Sequence, residues 1–199
     1  MKSNSALSVR DMVLTALFTA VLCAAAPFTI AIGPVPLSFA TLAIYLAAAS
    51  LGWKRGVVVV LLYVAIGAVG LPVFSNFAGG FHVIAGLTGG FVVGYIPCAL
   101  ATGLAVDVSS VTCHLRKSPR SRRYAECIRY ALSMAIGTVL LYTCGTAWFA
   151  ILTGSTVAAS LAICVLPFLI GDAIKIMIAC LVAPKLRGAL VKTGVKAGR

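Results

Sequence analysis

The sequence predicts an all-α integral membrane protein, a bundle of six transmembrane helices with both termini in the cytoplasm. Two observations support this prediction. Hydrophobic residues make up 61% of the 199-residue chain and charged residues only 10%, whereas a soluble domain contains about 25% charged residues. The charged residues also leave three long stretches without charge, at 12–53, 56–106 and 130–171. We therefore interpret residues 1–199 as a single transmembrane domain.

Each uncharged stretch is long enough for two membrane crossings. All three contain more than 40 residues, and one helical crossing needs about 20. Each stretch is therefore predicted to form a helical hairpin, and three hairpins make six helices. The turns within the hairpins lie at 33–36, within 70–86 and at 152–156, and they contain no lysine or arginine.

Basic residues occur at the chain ends and between the hairpins, including a basic loop at about 109–124. In a six-helix arrangement all of these segments lie on the same side of the membrane, and the positive-inside rule places that side in the cytoplasm. The net charge of +12 is explained in this way without a nucleic-acid partner. The loop can also attract anionic lipid headgroups.

The first two helices are predicted at about 10–32 and 35–51. The apolar start resembles a signal peptide, but Pro27 follows the small-residue triplet 24–26 and the apolar run continues to Ile32. We therefore expect an uncleaved first helix. Ala16, Ala20 and Ala24 are spaced by four residues, so that they share one helix face, and small residues let another helix approach closely in lipid.

The third helix, at about 56–70, leads into a glycine-rich loop. Without water, irregular backbone must be covered by protein or must line a cavity. We therefore expect Asn76 to face a cavity, together with the loop phenylalanines Phe74, Phe77 and Phe81. The fourth helix ends near Asp107.

The last two helices are predicted at about 125–152 and 158–184. Asp172 and Lys175 interrupt the apolar sequence of the sixth helix. A charge inside a membrane costs roughly 2.5–3.5 kcal/mol on insertion scales and normally faces a partner, a cavity or a ligand. The i,i+3 spacing brings both side chains to one face, which fits a mutual salt bridge as well as a polar ligand site.

Several functional classes lack their usual residues. The chain contains no GxxxxGK phosphate-binding loop, and its seven cysteines form neither a CxxC pair nor a metal-ligand spacing. Catalysis needs a nucleophile with a base or paired carboxylates. Asp172 has no second acid nearby in sequence, and neither histidine lies in a predicted helix core. We therefore expect no cofactor, no metal and no enzymatic activity.

Several motifs, spread over nearly the whole chain, resemble the BioY family, the biotin-specific substrate-binding (S) components of energy-coupling-factor (ECF) vitamin transporters. The matching segments are Gly33-Pro34-Val35-Pro36-Leu37, the segment from Leu62-Tyr63 through Gly70-Leu71-Pro72-Val73-Phe74, Gly86-Leu87-Thr88-Gly89-Gly90, Gly145-Thr146-Ala147-Trp148, the segment from Leu166 to Lys175, and Ala183-Pro184-Lys185-Leu186-Arg187.

The resemblance implies a six-helix S-component fold with a vitamin site toward the outer side. A Gly-Asp-x-x-Lys motif supplies biotin contacts in the family and corresponds to Asp172 and Lys175. An Ala-x-x-x-Ala pattern that meets the transmembrane coupling (T) subunit corresponds to Ala16 and Ala20. Two positions depart from the family pattern. Ala40 stands where glutamine is usual before threonine, near the site, and Leu87 replaces a proline, which bears on loop stiffness.

The resemblance implies a biotin-binding subunit in the cell membrane that works with a T subunit and two ATP-binding subunits. The ureido ring of biotin suits this chemistry, because Asp172 can accept an N–H and Lys175 can donate to an oxygen. Asn76 can do both, and the phenylalanines can wall the thiophane ring. The alternative is a self-sufficient secondary transporter, but such carriers usually show inverted repeats, and the two halves of this chain show no internal repeat.

Overall fold

The structure is a computed structural model that describes residues 9–30, 35–112 and 119–192, with the side chains of 108–112 and 119–125 outside the description. This part of the chain is almost entirely helical, which confirms the predicted fold class. The helices are α1 Val9–Ala25, α2 Ala40–Leu51, α3 Trp53–Ala68, α4 Phe81–Ala85, α5 Gly89–Thr112, α6 Pro119–Thr153, α7 Val157–Cys164 and α8 Leu169–Lys192.

The six predicted helices correspond, in chain order, to α1, α2, α3, α5, α6, and α7 together with α8. Three stretches are long and apolar enough to cross a membrane, at 89–107, 126–153 and 157–192. The segments α1, α2 and α3 are shorter. The short helix α4 lies in the glycine-rich loop, which also contains a 3-10 turn at Ser75–Phe77. The cytoplasmic placement of both termini stays a prediction, and residues 1–8 and 193–199 lie outside the described residues.

The connection between the first two helices differs from the predicted turn. Helix α1 ends at Ala25 rather than at 32, and two short strands follow, β1 (Thr29–Ile30) and β2 (Leu37–Ser38), which pair antiparallel. The hydroxyl of Ser38 donates to the carbonyl oxygen of Ala26 and accepts the N–H of Ala40. The start of α2 is thus bonded to the end of α1. Residues 33 and 34 of the predicted turn lie outside the description.

The predicted sixth helix is broken. Helix α7 ends at Cys164, a 3-10 turn occupies Leu166–Phe168, and α8 begins at Leu169. Pro167 lies in this turn, where its missing N–H and its ring oppose a continuous helix. Phe168 in this turn and Asp172 in the first turn of α8 are both buried.

The predicted basic loop is shorter than 109–124, because α5 continues to Thr112 and α6 begins at Pro119. Proline is favoured at the first position of a helix, where its missing N–H has no partner to lose. Residues 113–118 of the loop lie outside the described residues.

Helix α2 lies at the centre of the bundle, where it contacts α3, α5 and α8. Ten of its twelve residues are buried. The largest helix contact joins α5 and α6. A Cβ atom on Gly145 of α6 would lie 2.4 Å from the ring of Phe91, so the two helices can approach this closely only because glycine occupies the position.

Asp107 on α5 ties together the end of the bundle that lies away from the glycine-rich loop. Its carboxylate accepts from the guanidinium of Arg187 at 2.7 Å and from the backbone N–H of Trp53 at 3.1 Å. Arg187 on α8 also donates to the carbonyl oxygen of Ala49 at 3.1 Å. The tight α2–α3 corner at Gly52, with φ +87°, is thereby bonded to both α5 and α8.

Candidate functional site

A cavity of about 270 Å³ opens at the other end of the bundle. Its wall is formed by the β2–α2 corner, α3 and the loop that follows it, the first two turns of α5, the middle of α6, and the start of α8. These segments are far apart in sequence, so the cavity exists only in the assembled fold.

Asp172 and Lys175 are both buried and both line this cavity. The ammonium nitrogen of Lys175 lies 2.9 Å from Oδ1 of Asp172. The sequence left open whether this pair forms a salt bridge or a polar ligand site. The two interpretations are compatible, since the side chains form a salt bridge and also line the cavity. Among the described cavity-lining residues Lys175 is the one cation and Asp172 the one anion, and their formal charges cancel.

The ammonium group of Lys175 has three N–H donors, and all three are used within the protein. Besides Asp172, they reach the carbonyl oxygen of Ser38 at 2.7 Å and the hydroxyl of Thr41 at 3.0 Å. Lys175 thus joins α8 to the β2–α2 corner. A buried charge is tolerated only when it is paired and hydrogen-bonded, and this arrangement meets both conditions.

Oδ2 of Asp172 accepts a hydrogen bond from the hydroxyl of Tyr142 on α6. A carboxylate has about four acceptor sites, so Asp172 keeps acceptor capacity beyond Tyr142 and Lys175. Tyr142, Ser38 and Thr41 were not among the site residues predicted from the sequence. Tyr142 is a polar side chain in an apolar helix, which is a weak indication of a functional role. Its position in the sequence does not indicate that it contacts α8.

Phe74 and Asn76 line the cavity as expected. Phe74 is 1% exposed, and its ring packs edge-on against Tyr63, with centroids 5.5 Å apart. The side-chain oxygen of Asn76 accepts from the hydroxyl of Thr29, and its backbone N–H donates to the carbonyl oxygen of Pro27 at 3.1 Å. These bonds attach the glycine-rich loop to the β1 segment.

Phe77 and Phe81 are not among the residues that line the cavity. They are 60% and 71% exposed, and Phe77 instead packs edge-on against Phe28. Asn76 and Phe77 both adopt left-handed backbone conformations, with φ of 59° and 57°, and this turn separates Phe77 from Phe74. The structure therefore corrects the expected placement of these two phenylalanines. The aromatic residues of the wall are Tyr63, Phe74, Phe91, Tyr95, Tyr142 and Phe168.

The predicted partner-binding residues Ala16 and Ala20 are exposed on α1, as is Ala24. Ala16 also lines an apolar groove of about 200 Å³ between α1 and α3. The described part of the chain therefore leaves the small-residue face uncovered. No group of three or more potential metal ligands occurs within 9–30, 35–112 and 119–192.

The family model described as the BioY family matches residues 1–192 of the chain. Similar proteins include the probable biotin transporter BioY of Pyrococcus horikoshii, 32% identical over 92% of this chain and 99% of the relative. The biotin transporter BioY of Thermotoga maritima is 31% identical over 90% and 96% of the two chains. The biotin transporter BioY of Rhizobium etli is 33% identical over 88% and 91%.

A crystal structure of the S-component for biotin from an ECF-type ABC transporter has a similar fold. The two structures superpose with a TM-score of 0.78 at 25% sequence identity, over 94% of this chain and 95% of the other.

Proposed function

The chain belongs to the BioY family, and on this basis we propose that it is the biotin-binding membrane subunit of an ECF-type transporter. The observation that carries this proposal is the cavity itself. It combines a buried, hydrogen-bonded carboxylate with aromatic and aliphatic walls. Small-molecule sites typically have this composition, with few polar groups in a largely apolar pocket.

Asp172 is the proposed contact for a ureido N–H of biotin. An ionised carboxylate can only accept hydrogen bonds, and Asp172 lines the cavity and accepts one bond on each oxygen from within the protein, which leaves acceptor capacity. Its negative charge is already stabilised by Lys175 and Tyr142. A ligand that donates a neutral N–H therefore satisfies this carboxylate without bringing a second charge.

Lys175 and Asn76 complete the proposed polar contacts. Lys175 balances the negative charge of Asp172. When a ligand oxygen replaces the hydroxyl of Thr41 as an acceptor, one N–H of Lys175 bonds to the ligand. Asn76 can accept and donate through its amide. Phe74 is the proposed wall for the thiophane ring, whereas Phe77 and Phe81 stand outside the wall and are left out of the proposed site.

Transport by this subunit is proposed to require a T subunit and two ATP-binding subunits in the cell membrane, which the chain crosses several times. The exposed face with Ala16 and Ala20 is the proposed contact for a helix of the T subunit, because small side chains allow close helix approach. The chain itself carries no phosphate-binding loop, so the energy for uptake comes from the partners.

Equilibrium binding of labelled biotin to the purified protein tests this proposal. We expect saturable binding of one biotin per chain, displaced by unlabelled biotin and unaffected by an excess of thiamine or riboflavin. Absence of saturable binding to folded protein, or equal displacement by the other vitamins, contradicts it.

A further inference from the structure

Two tyrosine rings form part of the cavity wall, and the bonds described above do not involve their hydroxyl groups. Tyr63 on α3 is 1% exposed and Tyr95 on α5 is 7% exposed, and their ring centroids are 6.3 Å apart. Across 9–30, 35–112 and 119–192, neither hydroxyl has a hydrogen-bond partner. Neither hydroxyl is among the fully buried side-chain atoms that lack a partner in the described residues, so each hydroxyl is accessible at the cavity wall and can bond to a ligand atom.

Tyr95 is the better placed of the two. Tyr95 and Asp172 line the same cavity, and the ring of Tyr63 is less exposed and also packs edge-on against Phe74. A ligand group bonded to Asp172 therefore shares the cavity with Tyr95.

Biotin, the proposed ligand, needs a hydrogen-bond donor for its ureido oxygen near Asp172. A ureido group has a carbonyl oxygen between its two N–H groups, so a ring that donates to Asp172 also presents an acceptor nearby. Lys175 can donate to a ligand oxygen only by giving up one of its three bonds, to Ser38, Thr41 or Asp172. The hydroxyl of Tyr95 can donate without breaking any bond within the protein.

We propose that Tyr95 is a specificity-determining residue that donates its O–H to the ureido oxygen of biotin. This inference rests on the proposed function. It predicts that the protein distinguishes a cyclic urea from an isosteric ring with a weaker acceptor, because a site built to hydrogen-bond a ligand group discriminates against analogues that lack it.

Biotin and 2-thiobiotin, in which sulfur replaces the ureido oxygen, test the inference on the wild-type protein and on Tyr95→Phe. We expect wild type to bind biotin more tightly than 2-thiobiotin. Tyr95→Phe should weaken biotin binding roughly two- to tenfold, as expected for a neutral hydrogen bond, and should change 2-thiobiotin binding less.

Tyr45→Phe is the matched control. It removes the same hydroxyl from a buried tyrosine of α2 that is bonded to Thr138 and does not line the cavity. We expect its preference between the two ligands to equal that of wild type. Thermal unfolding without ligand verifies that each variant is folded.

Equal affinities of wild type for the two ligands overturn the inference even if Tyr95→Phe does not fold. It is also overturned if Tyr95→Phe binds biotin as wild type does, or weakens both ligands by the same factor. In these outcomes biotin still binds and the proposed function stands. Failure of wild type to bind biotin at all overturns the proposed function, and the inference with it.

Discussion

The charged pair on α8 combines two roles that are usually separate. Lys175 bonds the β2–α2 corner through Ser38 and Thr41, while Asp172 lines the cavity and keeps acceptor capacity. Removing one member of a buried ion pair leaves the other charge uncompensated, which typically costs about 3–5 kcal/mol. Structural and binding effects must therefore be measured together at these residues.

The variants Asp172→Asn, Lys175→Met and the double variant separate the two roles. Asp172→Asn should lower biotin affinity about ten- to a hundredfold, as for loss of a hydrogen bond to a charged group. Lys175→Met should lower the free energy of unfolding by several kcal/mol. The double variant should regain much of that stability without regaining biotin binding. Thermal unfolding and biotin titration of the same preparations measure both quantities, and restored binding in the double variant argues against the site.

Tyr142 orients the carboxylate of Asp172 from α6. Tyr142→Phe removes this donor and leaves the ring in place, so we expect biotin affinity to fall several-fold with little change in the unfolding temperature without ligand. Tyr45→Phe, which also loses a buried hydroxyl bond, should leave affinity unchanged. A biotin titration in which both variants behave alike assigns Tyr142 a purely structural part.

The polar residues of the site were predictable only where the sequence isolates them. Asp172 and Lys175 are conspicuous because they interrupt an apolar helix, and Asn76 and Phe74 because they lie in a glycine-rich loop. Tyr142 and Tyr95 lie in ordinary helical sequence, and only the packing of α5, α6 and α8 brings them to one cavity. The expected placement of Phe77 and Phe81 was wrong because the left-handed backbone at 76–77 is not visible from glycine spacing.

At the scale of elements, the lengths of the apolar stretches predicted the helices, but they did not predict where several of the helices begin and end. The end of α1 and the start of α2 depend on a strand pair and on the bonds of Ser38, which involve partners twelve or fewer residues away rather than local propensity. The predicted sixth helix was continuous, whereas the structure breaks it at the turn that contains Pro167, because proline lacks the N–H that a continuous helix needs.

The exposed alanines of α1 lead to a prediction at this scale. Ala16→Leu and Ala20→Leu should impair transport and co-purification with the T subunit, because a bulky side chain prevents close helix approach, while biotin binding should stay near that of wild type. Ala135→Leu, at an exposed position of α6, is the matched control. If both α1 variants still assemble with the T subunit, the small-residue face does not form the contact with that subunit.

At the scale of the whole molecule, polar groups are separated between two ends of the bundle. The cavity lies at the end formed by the glycine-rich loop and the β1–β2 pair, whereas Asp107 and Arg187 are bonded at the opposite end. The positive-inside rule predicts that the cavity end faces outward. Fold class was thus accessible from charge distribution, while the shape of the cavity required the assembled helices.

Cysteine labelling of intact cells tests this orientation. In a background without the native cysteines, reporters at Ser75 and Ser155 should react with a membrane-impermeant maleimide added outside, as should a reporter in 33–36. A reporter at Ser121 should react only after the cells are opened. Labelling of Ser121 from outside reverses the predicted topology.

The central claim is that the cavity around Asp172 binds biotin, and a crystal structure of the protein with biotin tests it most directly. We expect the ureido ring inside the cavity, with one N–H within about 2.7–3.2 Å of a carboxylate oxygen of Asp172 and the thiophane ring against Phe74. Biotin bound elsewhere on the protein, or in the cavity with its ureido ring turned away from Asp172, contradicts this account.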